Sequence, residues 1–77
     1  MTRTLMWEAK AAPERAGELL AWALANAPAD ARVYRSGDGR VVVVDEGGTG
    51  LPEPPAALLA RPPHVWPFDR VEPESCS

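Results

Sequence analysis

The short segment RPPHVWPFDRV, Arg61 to Val71, holds the only histidine and the only phenylalanine of the chain. Histidine takes up and releases protons near neutral pH, so His64 is the natural general base if this protein is an enzyme. If the segment is extended, His64, Trp66 and Phe68 share one face and form an aromatic wall beside a titratable group. A half-exposed histidine at the start of a strand explains the same residue without chemistry, since spacing ties no second catalytic group to it.

Aromatic side chains elsewhere in the chain could stack on a planar organic ligand together with this segment. In a domain this small, aromatic residues also fill the core and subunit interfaces, because they bury the most area per residue. Both interpretations stay open for Tyr34 and for the residues of the candidate ligand site, which are Trp7, His64, Trp66 and Phe68.

Two further patterns have a chemical and a plain interpretation. Glu8 and Asp69 lie on strands expected to pair at one end of a sheet, where two carboxylates could act as general acid and base. Ordinary solvated charges are the alternative. The loop Gly47-Gly48-Thr49-Gly50 could cradle an anion with its backbone N–H groups. It lacks a following Lys-Ser/Thr and does not match G-x-G-x-x-G, which favours a flexible connector.

Metal and cofactor chemistry has little basis in the sequence. Cys76 is the only cysteine and His64 the only histidine. The sequence therefore cannot form an internal disulfide, and it has no pair of Cys or His residues at the spacing of zinc ligands. Cys76 is interpreted as an incidental thiol that could cross-link chains on oxidation. We expect no metal site, nucleophile elbow or dinucleotide-binding site, and no cofactor.

Hydrophobic periodicity and turn residues predict four strands and two helices in the order β-α-β-β-α-β. The first helix opens at Ala12-Pro13-Glu14, because proline suits the first helical position, and ends before Pro28. The glycines of Gly37-Asp38-Gly39 permit a tight hairpin turn between the second and third strands. The predicted strands are Thr2–Lys10, Ala31–Ser36, Arg40–Asp45 and His64–Val71, and the second, short helix covers Pro54–Ala60.

The position of Trp22 on the predicted first helix is unexpected for a monomer. At 3.6 residues per turn, the apolar stripe of the first helix consists of Ala16, Leu19, Leu20, Ala23, Leu24 and Ala27. Trp22 falls on the opposite side, together with Arg15, Glu18 and Asn26. The pattern therefore predicts an interface role for Trp22.

The strand patterns indicate a fold class. Val41 to Val44 form a continuous β-branched run, typical of a central strand, whereas Pro67 confines the fourth strand to a sheet edge. These features favour an α+β, ferredoxin-like βαββαβ domain over residues 1–72, with a four-stranded antiparallel sheet ordered 4-1-3-2 and two helices on one face. Residues 73–77 are expected to be a disordered tail.

Such a sheet has a second face that nothing in this chain covers. It would carry two of the valines, Val42 and Val44, and half of the apolar groups of the fourth strand. An apolar patch of this kind exceeds what soluble monomers usually expose, so we expect a homodimer with Trp22, Val42 and Val44 in its interface.

On element order and patterning over Thr2 to Val71, the chain resembles the dimeric α+β barrel superfamily, which includes cofactor-independent antibiotic-biosynthesis monooxygenases and stress-responsive barrel proteins. The resemblance implies two ferredoxin-like subunits packed sheet to sheet, and a small organic molecule enclosed near sheet and helices. It implies no catalytic residue, because no motif matches residue by residue.

Charge and hydropathy narrow the classes of partner. A net charge of −3 with scattered basic residues argues against nucleic acid as a partner. No apolar run approaches the ~20 residues that span a bilayer, and no signal-peptide core is visible, so we expect a cytoplasmic protein without membrane contact. Two functions remain: a non-catalytic interaction module acting through its uncovered sheet face, or a small-molecule binding protein or monooxygenase-like enzyme with an aromatic pocket.

Overall fold

The computed structural model describes residues 3–69 and 71. Four strands and one α-helix are present in this part of the chain, together with a single 3-10 turn at Ala56–Leu58. The elements are β1 (Arg3–Lys10), α1 (Ala16–Asn26), β2 (Arg32–Arg35), β3 (Arg40–Asp45) and β4 (His64–Asp69).

The strands form one four-stranded sheet with the order β2-β3-β1-β4, and each neighbouring pair is antiparallel. The predicted α+β class with a four-stranded antiparallel sheet is confirmed. The four valines lie on β3, next to β1 in the middle of the sheet, and Pro67 lies on the edge strand β4. Proline is tolerated there because its nitrogen, which has no hydrogen, faces away from the ladder.

The hairpin between β2 and β3 is closed by the turn that the glycines permit. The Ser36 N–H donates to the Arg40 carbonyl at 2.9 Å, and the Gly39 N–H donates to the Ser36 carbonyl at 3.3 Å. Gly39 has a φ of 89°, a left-handed conformation that glycine adopts without steric cost.

The first helix begins later than predicted. The Arg15 N–H donates to the Ala12 carbonyl at 2.9 Å, so Pro13 and Glu14 belong to a turn rather than to the first helical turn. Glu14 has a φ of 65°, which is incompatible with a right-handed helix. The helix therefore starts at Ala16.

The predicted second helix over Pro54–Ala60 is wrong: only Ala56–Leu58 form a 3-10 turn. The chain after it pairs with the end of β1 instead. Ala11 and Leu59 form an antiparallel bridge, and the Ala60 N–H donates to the Lys10 carbonyl at 2.9 Å. Backbone groups that a helix would have satisfied internally are thus satisfied by β1.

Helix α1 covers one face of the sheet, and the core lies beneath it. Its fully buried residues Leu19 and Ala23 pack on the inward-facing side chains of the two central strands. All six residues of β4 remain exposed, because α1 reaches only part of the sheet and no second helix within residues 3–69 lies over β4. The buried apolar core consists of Trp7, Ala9, Ala11, Leu19, Ala23, Val41 and Val43.

Among the described residues no helix has the length and apolar character needed to cross a membrane. The tail predicted for residues 73–77, including Cys76, lies outside the described residues.

Candidate functional site

The most distinctive surface is the sheet face opposite α1, which we call the open face. Since side chains alternate across a strand, the strand registers place its residues in rows. One row runs Arg32, Val44, Met6, Trp66 and the next runs Tyr34, Val42, Glu8, His64; Thr4 and Phe68 lie at one end of these rows, and Lys10 and Arg40 lie at the other.

Large aromatic side chains are exposed on the open face. Tyr34 is 52% exposed, Trp66 41% and Phe68 50%. Between them lie Val42 and Val44, which are only half-buried. The open face is thus a mixed surface, with half-buried valines and exposed aromatic side chains beside polar and charged residues, that no described element of the chain covers.

His64 and Trp66 stack on this surface. Their ring centroids are 5.5 Å apart and the ring planes differ by 11°. Glu8 lies directly opposite His64 in the register of β1 and β4. His64, Trp66 and Phe68 thus share one face of the sheet, as the strand alternation predicted. The open face also contains Met6 and Arg32, which the sequence analysis did not single out.

Charged groups are gathered at one end of the open face. Arg40 forms ion pairs with Glu8 at 3.2 Å and with Asp38 at 3.1 Å, and Lys10 lies 3.8 Å from Asp38. A hydrogen bond from the Ser36 hydroxyl, followed by one from Arg40, lowers the pKa of Asp38 to about 2. The same pairing with Asp38 raises the pKa of Arg40. Two cations and two anions thus neutralise one another at this end of the open face.

Trp7 of the predicted ligand site and Trp22 of the predicted interface lie elsewhere. Trp7 is buried on the helix-covered face, so the structure does not bring it together with His64. Trp22 stacks on Trp7, with ring centroids 6.0 Å apart and an interplanar angle of 29°. The interpretation of Trp22 as a residue directed away from the core is therefore wrong.

The aromatic contact also changes which side of α1 is buried. Trp22, Leu19 and Ala23 are directed toward the sheet, whereas Leu24 of the predicted stripe is 62% exposed. The physical reason is the size of the indole ring, since stacking it on Trp7 buries more apolar area than Leu24 offers.

The two carboxylates considered as an acid–base pair do not meet. Glu8 is opposite His64 on the open face, whereas Asp69 is opposite Arg3, an odd number of residues away along β1. Side chains separated in this way lie on opposite faces of the sheet.

The glycine-rich loop is organised around a carboxylate that the sequence analysis missed. Asp45 is fully buried, and its side chain accepts the N–H groups of Gly47 at 3.1 Å and Gly50 at 2.6 Å. These donors are therefore occupied within the chain, which removes the main argument for an anion cradle. The sequence contained one indication of this role, because Asp45 precedes Gly47 by two residues. An aspartate side chain commonly accepts a hydrogen bond from the backbone N–H two residues later in the chain.

Gly48 allows this loop to lie close to β1. It has a φ of 70°, and a Cβ at this position would lie 2.9 Å from the Arg3 carbonyl oxygen. Only glycine fits both the backbone conformation and the contact.

Two cavities lie away from the candidate ligand residues. One, of about 300 Å³, is between the start of α1 and the β2–β3 hairpin, beside Leu20, Arg35 and Val41. The other, of about 230 Å³, lies beside Pro54, Leu59 and Pro62. Neither is lined by His64, Trp66 or Phe68. Within residues 3–69 and 71, no cluster of three or more His, Cys, Asp or Glu side chains is placed to hold a metal ion.

Fold and surface together define a small α+β protein whose open face carries exposed aromatic side chains and is not covered by any element that the structure describes. Comparison with known proteins adds no relative to this description: no family profile, no curated protein and no solved structure matches the chain.

Proposed function

We propose that this protein is a non-catalytic interaction module that forms a homodimer through its open face. The observation that carries the proposal is the exposure of Tyr34, Trp66 and Phe68 on one sheet face, around the half-buried Val42 and Val44. Soluble monomers rarely leave a large contiguous apolar patch in water. Covering it would add apolar burial to a core that a 77-residue chain can build only thinly.

The free edge of β4 is a poorer docking site than the open face. Pro67 is paired opposite Leu5, with its nitrogen on the free edge, where it offers no N–H to a further strand. A proline at an edge blocks the addition of a neighbouring strand. Association through side chains on the face is therefore favoured over extension of the sheet.

A second copy of this chain suits the open face electrostatically. Lys10 and Arg40 are neutralised by Glu8 and Asp38 within each copy, so the charged ends of two copies would not repel each other. Like charges facing across an interface would otherwise oppose association. The partner copy therefore needs no opposite charge on its own face.

The aromatic-pocket alternative has less support. Trp7 and His64 lie on opposite faces, and His64 lines neither of the two cavities described above. A binding wall made of His64, Trp66 and Phe68 alone would be an open surface rather than the enclosed site that small ligands prefer.

The finer fold assignment belongs to the same proposal. A reduced ferredoxin-like arrangement is supported by the strand order β2-β3-β1-β4 with antiparallel neighbours. The structure differs from the full ferredoxin-like arrangement at the position of the second helix, which is only a 3-10 turn. The resemblance to dimeric α+β barrels gains support only through the uncovered face.

Sedimentation equilibrium over a wide dilution series tests the dimer directly. The wild-type protein should change from dimer to monomer on dilution, and its melting temperature should rise with concentration. Val44→Glu places a charge in the middle of the open face and should give a folded monomer. Leu24→Glu, at an exposed site on α1, is the matched control and should remain dimeric. A wild type that stays monomeric across the series contradicts the proposal.

A further inference from the structure

The larger of the two cavities described above lies on the helix-covered side of the sheet, between the start of α1 and the β2–β3 hairpin. Its volume is about 300 Å³. Leu20 of α1 and Val41 of β3 line it with apolar groups, and both belong to the packing of the core. The cavity is thus separate from the open face, and the proposed dimer makes no use of it.

Arg35 gives this cavity a positive charge that no described residue neutralises. Its position opposite Val41 in the register places it on the helix-covered face, and it lines the cavity. It forms no ion pair among the described residues. Arg40 also lines the cavity, but its guanidinium is paired with Glu8 and Asp38. Within the part of the chain that the structure describes, no carboxylate lines the cavity, so an entering anion meets no like charge in its wall.

Two glycines in the cavity wall are not required by their own surroundings. Gly17 lies in α1, where glycine is one of the poorest helix formers, and Gly37 lies in the hairpin turn. Neither has a positive φ, and a Cβ added at either position would meet no atom within 4 Å. Backbone conformation and crowding, the usual reasons for glycine, are therefore absent. Their lack of side chains leaves the cavity open.

We propose that this cavity binds a small organic carboxylate, with the carboxylate on Arg35 and the hydrocarbon part of the ligand against Leu20 and Val41. A guanidinium can donate two parallel N–H bonds to a carboxylate. The apolar groups favour a ligand with a ring or short chain over a bare inorganic anion, because burying apolar area contributes to binding. A volume at the lower end of the range for ligand pockets restricts the ligand to about the size of benzoate.

Titration of the protein with sodium benzoate, followed through backbone amide chemical shifts by NMR, tests the site. The resonances of Gly17 and Gly37 should shift saturably, with a dissociation constant of about 1 mM. Benzamide has the same ring without the charge, and inorganic phosphate has charge without a ring. Each should bind at least about 10-fold more weakly than benzoate. The absence of saturable shifts with benzoate overturns the proposal, as does equal binding of benzamide or phosphate.

The role of Arg35 has its own matched pair of variants. Arg35→Gln should weaken benzoate binding by about 10-fold or more, the effect of losing a hydrogen-bonded charge. Arg32→Gln is the control, because Arg32 is exposed on the same strand but lies on the open face. It should bind benzoate like the wild type. Equal affinities of Arg35→Gln and the wild type would contradict the assigned contact.

Filling the cavity provides an independent test. Gly17→Leu adds a side chain where the structure leaves open space and should abolish benzoate binding without lowering the melting temperature. Ala21→Leu adds bulk at an exposed position of α1 outside the cavity and should leave binding unchanged. Benzoate binding by a folded Gly17→Leu variant with wild-type affinity overturns the location of the site. Sedimentation of the same samples reports on the open-face dimer, so the two proposals succeed or fail separately.

Discussion

The two faces of the sheet are made by the same strands, yet they differ in what covers them. On the helix side, Val41 and Val43 are buried beneath Leu19 and Ala23 of α1. On the open face, Val42 and Val44, from the same run of valines, are only half-buried. Residue type is therefore a poor guide to burial here, because burial depends on whether another element lies over the strand.

The difference teaches that the one α-helix which the structure describes covers only part of one face of the sheet. Helix α1 packs over β3 and β2, while β4 stays exposed on both sides. A thin core of this kind gains stability from association, since small domains bury a limited share of their surface alone. The contrast between the two faces can be tested by substitutions matched across them.

The largest expected effect is on the covered face. Leu19→Ala removes a fully buried side chain and should lower the free energy of unfolding by about 3 kcal/mol, from lost burial and the cavity left behind. Leu24→Ala, on the exposed side of the same helix, should cost less than about 0.5 kcal/mol. Urea denaturation of both variants measures the difference. Equal losses would contradict the difference in burial between Leu19 and Leu24.

Substitutions of neighbouring valines allow the two faces to be compared within one strand. Val43→Ala should cost about 1 to 3 kcal/mol at any protein concentration, because Val43 is fully buried in the monomer. Val44→Ala should cost less in dilute solution and more at concentrations where the proposed dimer forms. Thermal melts of both variants at several protein concentrations distinguish the constant cost of Val43→Ala from the concentration-dependent cost of Val44→Ala. A cost of Val44→Ala that does not change with concentration would contradict the proposed dimer through the open face.

The buried carboxylate at the end of β3 should have an intermediate effect. Asp45→Asn replaces one acceptor oxygen by a donor, so one of the N–H groups of Gly47 and Gly50 loses its partner. The expected loss is about 1 to 2 kcal/mol, the cost of an unsatisfied buried group. Urea denaturation of this variant beside Glu53→Gln, an exposed carboxylate, provides the comparison. A loss no greater than that of the control would mean that the loop does not depend on Asp45.

The exposed carboxylate beside the open face should have the smallest effect, and it should depend on pH. Asp38 has a folded pKa of about 2, below its ordinary value of 3.8, so its ionised form is favoured by folding. Its contribution is therefore present above pH 3.8 and is lost as the pH falls toward 2. In urea titrations at several pH values, wild type and Asp38→Asn should converge in acid. A difference that persists at the lowest pH would assign the effect of Asp38 to packing rather than to charge.

Part of this structure was accessible from local patterns. The antiparallel sheet, the β2–β3 hairpin and the bounds of β3 follow from the continuous run of β-branched valines and from glycines at the turn. His64, Trp66 and Phe68 share a face because alternation along a strand is a local property. The start of α1 was misplaced because Pro13 suits both a turn and a first helical position, and only the left-handed Glu14 separates the two.

Other features depend on contacts between distant parts of the chain. The sequence alone determined which residues alternate along each strand and where the chain can turn, because these depend on neighbouring residues. The tertiary structure decided that Trp22 packs on Trp7, that Asp45 is buried against the loop, and that residues 58–60 pair with β1 rather than extend a helix. Each outcome is a competition between burial or hydrogen bonding with a distant partner and a local preference, and the distant partner contributes the larger free energy.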